Sequence, residues 1–372
     1  MGIGSVYKGK KPLRWAEEAS RSLMNRFEPS KLPPADRWHY HQGVFLYGMY
    51  DVWKETKNDD YYQYFKEYVD KLVDEEGNFL FRRSELDAIQ PGLLLFPLYE
   101  KTGEKRYKIA ASKLRNLLNT LNKTKEGGFW HKDKYPYQMW LDGLYMAGPF
   151  TITYGQQFEE PELLDLVVQQ ENLMRKNTKD EKTGLYFHGW DESGKTPWSV
   201  MGTNTAPEIW GRSLGWYGMA LVNMIEMLPE GHPKKMEWIG VVQELIENLV
   251  KFQDPESGLW YQIVDKGYLE DNWLESSGSC LFIYTIAKAV NKGYVDDKYF
   301  EVAVKGYNGV VDRFIEVQPD GSIGLTDICI GTSIGVYDYY VARETCTNDL
   351  HGVGAFVLAS VQMHQKESTI VR

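Results

Sequence analysis

Apolar residues along this chain recur at helical spacing far more often than at the alternating spacing of strands. Stretches such as 59–73, 103–121 and 232–252 carry one apolar stripe and a charged opposite face, the pattern of a helix covered on one side only. Others are apolar nearly all round and rich in small residues. Gly211, Gly215 and Gly218 fall on one helical face, as do Gly143 and Ala147, and Ser276 and Cys280. Such a face lets two backbones come close. The pattern predicts twelve helices, at 12–27, 41–56, 59–73, 85–100, 104–121, 140–155, 159–177, 208–228, 233–253, 273–292, 296–315 and 348–365. Only 184–188 and 259–264 read as short strands or loops.

Between helices a short motif returns: glycine, any residue, an aromatic, an apolar residue, then often a polar one. It runs Gly77-Asn78-Phe79-Leu80-Phe81, Gly127-Gly128-Phe129-Trp130-His131, Gly184-Leu185-Tyr186-Phe187-His188 and Gly258-Leu259-Trp260-Tyr261-Gln262, with a weaker copy at Gly321-Ser322-Ile323-Gly324. The glycines are 50, 57, 74 and 63 residues apart, and each follows a short polar turn. Six helix pairs of this length form either an open solenoid or a closed ring. Small-faced inner helices beside amphipathic outer ones favour the ring, an all-α (α/α)6 toroid. No Pro/Gly/Ser-rich linker divides residues 1–372, so one domain is expected. In such a ring the aromatic loops and the inner-helix N-termini gather at one mouth, where anions are favoured.

Composition narrows the possible partners. The net charge of −10 and the lack of a basic run exclude a nucleic-acid partner. They also disfavour an anionic ligand unless the site supplies its own cations. Twelve Trp and 25 Tyr provide rings for a core and for the flat apolar faces of sugars. Cys280, Cys329 and Cys346 fit neither a metal spacing nor a disulfide framework. Residues 1–15 lack the apolar core of a signal peptide, and no stretch approaches a membrane span. The expectation is a soluble cytoplasmic protein with no membrane partner, no cofactor and no metal.

Two carboxylates stand out. Asp142 opens an apolar, aromatic helix directly after a loop crowded with Trp, His, Lys and Tyr, and burying a charge there is costly. It can also be read as a helix cap, although Tyr145 stands where a capping box needs Glu or Gln. Asp87 occupies a similar place one repeat earlier, with Ser84 at capping-box spacing. His131 and His188 occupy equivalent positions in successive repeats. Arg212 is placed either to pair with Glu208 four residues back or to clamp a substrate carboxylate. Lys132 adds charge beside His131, while Trp140, Trp210 and Trp216 are candidate stacking walls. Glu275 is a reserve carboxylate with a structural reading, and Tyr337–Tyr340 and Thr347–Gly352 read as one more loop and helix start.

Several of these runs are long enough to carry a likeness. Arg37-Trp38-His39-Tyr40-His41-Gln42-Gly43, Arg83 to Gln90, Gly128 to Lys132, Trp140 to Met146, Arg212 to Tyr217 and Asp271 to Cys280 resemble the unsaturated rhamnogalacturonyl hydrolases of glycoside hydrolase family 105. The likeness runs nearly end to end and implies an (α/α)6 barrel. It also implies a substrate whose terminal 4,5-unsaturated galacturonic acid, left by pectin lyases, is linked to rhamnose. Such enzymes hydrate the vinyl ether double bond, and the resulting hemiketal opens to release the sugar. The matching positions imply that Asp142 makes both proton transfers and that Asp87 assists. Tyr40, His41, His131, Lys132, Trp140, His188, Trp210, Arg212 and Trp216 are the expected substrate contacts. Asp142 is expected to hold its proton through burial among Trp140 and Tyr145, the like charge of Asp87 and the substrate carboxylate. The alternatives are another (α/α)6 carbohydrate enzyme, such as an unsaturated glucuronyl hydrolase or a sugar epimerase, and a non-catalytic sugar-binding toroid.

Overall fold

A computed structural model describes residues 6–80 and 82–370; Phe81, which ends the first copy of the repeated motif, lies outside them. The helices are α1 (Pro12–Met24), α2 (Tyr40–Thr56), α3 (Asp59–Leu72), α4 (Leu95–Thr102), α5 (Lys105–Thr120), α6 (Asp142–Gln157), α7 (Glu162–Thr178), α8 (Gly211–Met227), α9 (Pro233–Leu249), α10 (Ser276–Asn291), α11 (Phe300–Arg313), α12 (Tyr337–Val341) and α13 (Leu350–Ile370). Consecutive pairs α2–α3, α4–α5, α6–α7, α8–α9 and α10–α11 pack as hairpins, and α1 packs on α13 to make the sixth pair. The inner helices form an unbroken circuit, from α13 to α2, through the turns preceding α4 to α6, then α8, α10 and back to α13. This is the (α/α)6 toroid. No described helix is long and apolar enough to cross a membrane.

The inner and outer patterns have a direct physical cause. Every residue of α8 from Gly211 to Ile225 is buried, so no position faces water and none needs to be charged for solubility. The glycine face is a close approach: a Cβ on Gly215 would lie 2.6 Å from Leu281 of α10, so any side chain would push the two helices apart. The outer helices bury one stripe and leave their charged faces in solvent.

The repeated motif is a tight turn at the end of each outer helix. Its glycines all sit at positive φ, from +69° at Gly77 to +91° at Gly127, where a side chain is strained. A polar side chain five or six residues before the motif's aromatic closes the turn onto backbone N–H groups. Asp74 accepts from Glu76 and Asn78, Asp180 from Lys182 and Thr183, and Thr124 from Gly128. The recurring polar turns are thus structural. Each starts the chain back toward the centre of the ring.

One predicted helix differs. Residues 86–94 wind as two 3-10 turns, Leu86–Ala88 and Gln90–Leu94, before α4 begins. Pro91 has no N–H to give to an α-helical ladder. Gly92 is pressed against Leu114 and Phe150, each 2.6 Å from where a Cβ would stand. The two stretches that could have been strands make only isolated bridges. The short antiparallel pairs lie elsewhere: β1 (Gln138–Trp140) with β2 (Gly189–Asp191), β3 (Ile315–Val317) with β4 (Ile323–Leu325), and β5 (Ile328–Cys329) with β6 (Thr345–Cys346).

Candidate functional site

A cleft of about 420 Å³ opens at the end of the ring where the inner helices begin. Its lining includes Tyr40, His41, Asp87, His131, Lys132, Trp140, Asp142, Trp210 and Arg212, so nine of the eleven sequence candidates meet in one place. They come from four successive units, brought together by the turns described above. Pairing of β1 with β2 sets the His131 and His188 loops side by side. Trp140 stands between the two rings, stacked on His131 at 4.3 Å and edge-on to His188 at 5.2 Å.

Neither carboxylate is a helix cap. Asp142 is the first residue of α6, whose cap is Leu141, and Asp87 lies in a 3-10 turn whose cap residue, Glu85, makes no capping bond. Glu275, by contrast, is a cap: it accepts from Ser277 and Gly278 at the start of α10 and also from the Cys329 N–H at 3.0 Å. It is a structural carboxylate.

Asp87 is buried among cations and imidazoles. The Lys132 ammonium is in direct contact with its Oδ2 and lies 3.6 Å from Glu85. His39 and His131 approach at 3.6 and 3.5 Å. Burial pushes the Asp87 carboxyl up, but Lys132 and the two histidines hold it well below the usual carboxylate range. His39 and His131 are themselves pushed down to about 4 by burial, so both are neutral at neutral pH.

Asp142 has a different setting. His188 Nε2 lies 3.5 Å from its Oδ2, and neither atom has another hydrogen-bond partner among the described residues. Burial raises its carboxyl, yet the hydrogen bond and charge of His188, followed by His131, bring it below the ordinary value. This corrects the expectation of a raised pKa in the free protein. The like charge of Asp87 is neutralised by Lys132, and Tyr145 lies deeper, stacked on Trp216 at 5.0 Å. His188, fully buried, is lowered by desolvation.

Arg212 does not pair with Glu208, which is bound to Lys266. Its guanidinium is buried, lies 4.5 Å over the Trp210 ring, and donates to the carbonyls of Cys329 and Ile330. It also meets His351 Nε2 at 3.0 Å. His351 Nδ1 and His41 Nδ1 both reach Asp349 Oδ1, at 2.9 and 2.8 Å, so Arg212 is linked through His351 to the half-buried Asp349.

Two candidates do not line the cleft. His188 is wholly behind Asp142, and Trp216 lies one helical turn below Arg212 in the ring interior. The sequence reading passed over His39, Tyr340, Asp349 and His351 as site residues. His39 was visible as the neighbour of Tyr40. Tyr340 and Asp349 belong to the irregular stretch between α11 and α13, where no periodicity marks them, and His351 is the second residue of α13.

The cleft carries six cationic side chains (Arg37, Arg83, Lys132, Lys134, Arg212 and Arg343) against the carboxylates Asp87 and Asp142, on a chain of net charge −10. Two clusters have metal-ligand composition, His41–Asp349–His351 and His39–Glu85–Asp87. In the first the ligand atoms are spent on one another, and in the second the Lys132 ammonium already sits against the carboxylates. The arrangement suits an anionic ligand and proton transfer.

Comparison with known proteins gives the same direction. A family model described as Glycosyl Hydrolase Family 88 matches residues 15–366. The chain is 27% identical over 325 residues to the unsaturated rhamnogalacturonyl hydrolase YesR of Bacillus subtilis (strain 168), covering 86% of this chain and 87% of that protein. A solved glycoside hydrolase of family 105 from C. acetobutylicum ATCC 824 superposes with a TM-score of 0.88 at 34% identity, over 94% of this chain and 99% of that one. A possible member of the same family from Salmonella enterica gives a TM-score of 0.81 at 25% identity, over 95% and 93%.

Proposed function

Because this chain belongs to glycosyl hydrolase family 88, we propose that it removes a terminal 4,5-unsaturated uronic acid from an oligosaccharide by hydrating the vinyl ether double bond. The substrate we favour is the unsaturated galacturonyl-rhamnose end left when lyases cut the rhamnogalacturonan of pectin, after the likeness to the rhamnogalacturonyl hydrolase of Bacillus subtilis. One observation carries the reading. Of two buried carboxylates in a cationic cleft, one is neutralised by a lysine and the other faces a neutral imidazole.

In this mechanism the uronate enters beside Arg212 and the other cleft cations. Its carboxylate brings a negative charge next to Asp142 and displaces water. Both effects raise the Asp142 pKa and give it the proton it lacks in the free protein. Asp142 then protonates C4, and positive charge develops at C5 next to the ring oxygen. The ionised Asp142 takes a proton from the water that attacks C5. The product is a hemiketal that opens and releases the neighbouring sugar, so the glycosidic bond is never attacked directly. Asp87, kept ionised by Lys132, stabilises the developing positive charge. Trp140 and Trp210 supply flat walls for the sugar ring.

An epimerase would place two imidazoles on a shared substrate. Here His131 is turned to Asp87, and His188 is buried behind Asp142, which argues against that alternative. We place the reaction in the cytoplasm, after uptake of the oligosaccharide; three free cysteines fit a reducing compartment.

The test is to incubate the protein with a lyase-generated unsaturated rhamnogalacturonan disaccharide and follow the ultraviolet absorbance of the double bond. The absorbance falls if the proposal holds. Steady absorbance, with cleavage of saturated oligosaccharides instead, overturns it.

A further inference from the structure

Behind the proposed acid stands a side chain that never touches the cleft. Tyr340, on the short helix α12, is fully buried and packs with Trp210 and Ile263. Its hydroxyl lies 2.7 Å from His188 Nδ1. The same oxygen accepts the N–H of Gly335 at 3.4 Å. No other acceptor for the Tyr340 proton stands within hydrogen-bond reach among the described residues. The tyrosine therefore donates to Nδ1, and a neutral imidazole that accepts at Nδ1 carries its own proton on Nε2. Nε2 is the atom that faces Asp142 Oδ2 at 3.5 Å.

The two oxygens of Asp142 are unlike. Oδ2 is buried with no partner besides His188 Nε2 among the described residues, while 12% of the side chain remains exposed and the residue lines the cleft. The carboxylate thus reaches the cleft through Oδ1. An imidazole N–H aimed at Oδ2 can be accepted by that oxygen whether the carboxyl is ionised or protonated on Oδ1. It is repelled only by a proton on Oδ2 itself.

We propose that Tyr340 is a positioning residue that holds His188 in the Nε2–H tautomer, and that His188 in turn confines the transferable proton of Asp142 to Oδ1, the oxygen that meets the substrate. The hydroxyl of a residue about two hundred positions downstream of Asp142 thus decides where the proton sits. The backbone around it is braced for the task. Gln262 donates to the Tyr340 carbonyl at 3.1 Å and accepts the Trp210 indole N–H at 2.9 Å. Trp210 packs on the face of His188 at 4.6 Å, so the imidazole has little freedom to rotate.

This inference rests on the proposed role of Asp142, and its test has one arm that does not. In the free, full-length enzyme, nitrogen-15 NMR of the imidazoles, with His188→Gln to assign the signal, reports the His188 tautomer directly. The Nε2–H form is expected. A predominant Nδ1–H form overturns the proposal whatever the enzyme acts on. The second arm is Tyr340→Phe, which keeps the buried ring and removes only the hydroxyl. The expected result on the unsaturated disaccharide is a kcat lower by about tenfold, within the range of a misdirected proton transfer, with KM changed less than about twofold. With its fixed donor weakened, Asp142 keeps its proton to higher pH, so the basic limb of the kcat profile should move up. Unchanged kcat and an unchanged profile in a variant that melts like the wild type overturn the proposal. If the wild type leaves the disaccharide intact, the functional reading falls, while the NMR arm still decides the tautomer.

Discussion

Asp87 and Asp142 reach one cleft from neighbouring units of the same ring, yet their surroundings are opposite. Asp87 is held on one side by the Lys132 ammonium and on the other by His39 and His131. Asp142 faces a buried, neutral His188 at 3.5 Å. The first arrangement fixes a charge. The second leaves a carboxyl whose protonation can change when a ligand arrives. Under the proposed function, two aspartates in similar sequence settings become a permanent anion and a movable proton, and the difference is made by side chains 45 and 46 residues further along the chain. Residue type alone therefore does not assign the acid; the nearest cation does.

The largest effect should come from removing the movable proton. Asp142→Asn is expected to keep the fold and ligand binding and to lose at least ~10²-fold in kcat on the unsaturated disaccharide, the low end for a general acid/base. A rate near that of the wild type would end the comparison. Next is the cation that separates the two aspartates. Lys132→Met leaves Asp87 buried beside neutral imidazoles, where it takes up a proton. We expect kcat at neutral pH to fall about tenfold and to recover as the pH rises and Asp87 ionises again. A loss independent of pH would mean that Lys132 acts on the substrate instead. Arg212→Ala should chiefly raise KM, by roughly tenfold, with a smaller change in kcat, as expected for uniform binding of a carboxylate.

A smaller signal should appear in stability. His39, His131 and His351 are each pushed down to about 4 by burial, against about 6.5 in an unfolded chain. Between those values the unfolded state binds more protons than the folded one. Stability should thus be complete above about pH 6.5 and fall as the pH drops toward 4. Two of these three groups flank Asp87, so His131→Gln should flatten the slope of Tm against pH over that interval. The smallest effect is expected for Trp216→Phe, with KM changed less than about twofold because the ring stands below the cleft floor. A large rise in KM would put Trp216 in contact with the sugar after all.

How much of this was legible beforehand follows from which physical signal each residue leaves. The ring was legible because burial on both sides and burial on one side write different helical patterns, and because each turn repeats a glycine. The mouth was legible because helix starts and aromatic loops are local features. Depth was not. Trp216 lies on the same face as Arg212, and Tyr145 on the same face as Asp142, but one turn further down each helix moves the ring from the cleft to the interior. Spacing gives a face and says nothing of where along it the protein surface stops. The state of Asp142 was equally hidden. Its burial could be read from neighbours in sequence, while the imidazole that outweighs burial comes from the next repeat. Tyr340, Asp349 and His351 could be read only as part of a loop and a helix start, because the stretch between α11 and α13 has no period that would point a side chain at the cleft.

The sixth helix pair joins the beginning of the described chain to its end: α1 packs on α13, Tyr7 donates to Asn308, and Ser22 accepts from Ile323. Five hairpins can form as they leave the ribosome, each from residues close in sequence. The sixth cannot, since its halves are separated by more than three hundred residues of synthesis. The segment just before α13 is also the one that grips Arg212 and meets His188 through Tyr340. During synthesis, then, Asp87 and Asp142 emerge long before the parts that pack behind them. The ring, and with it the complete cleft, can close only when the last helix docks.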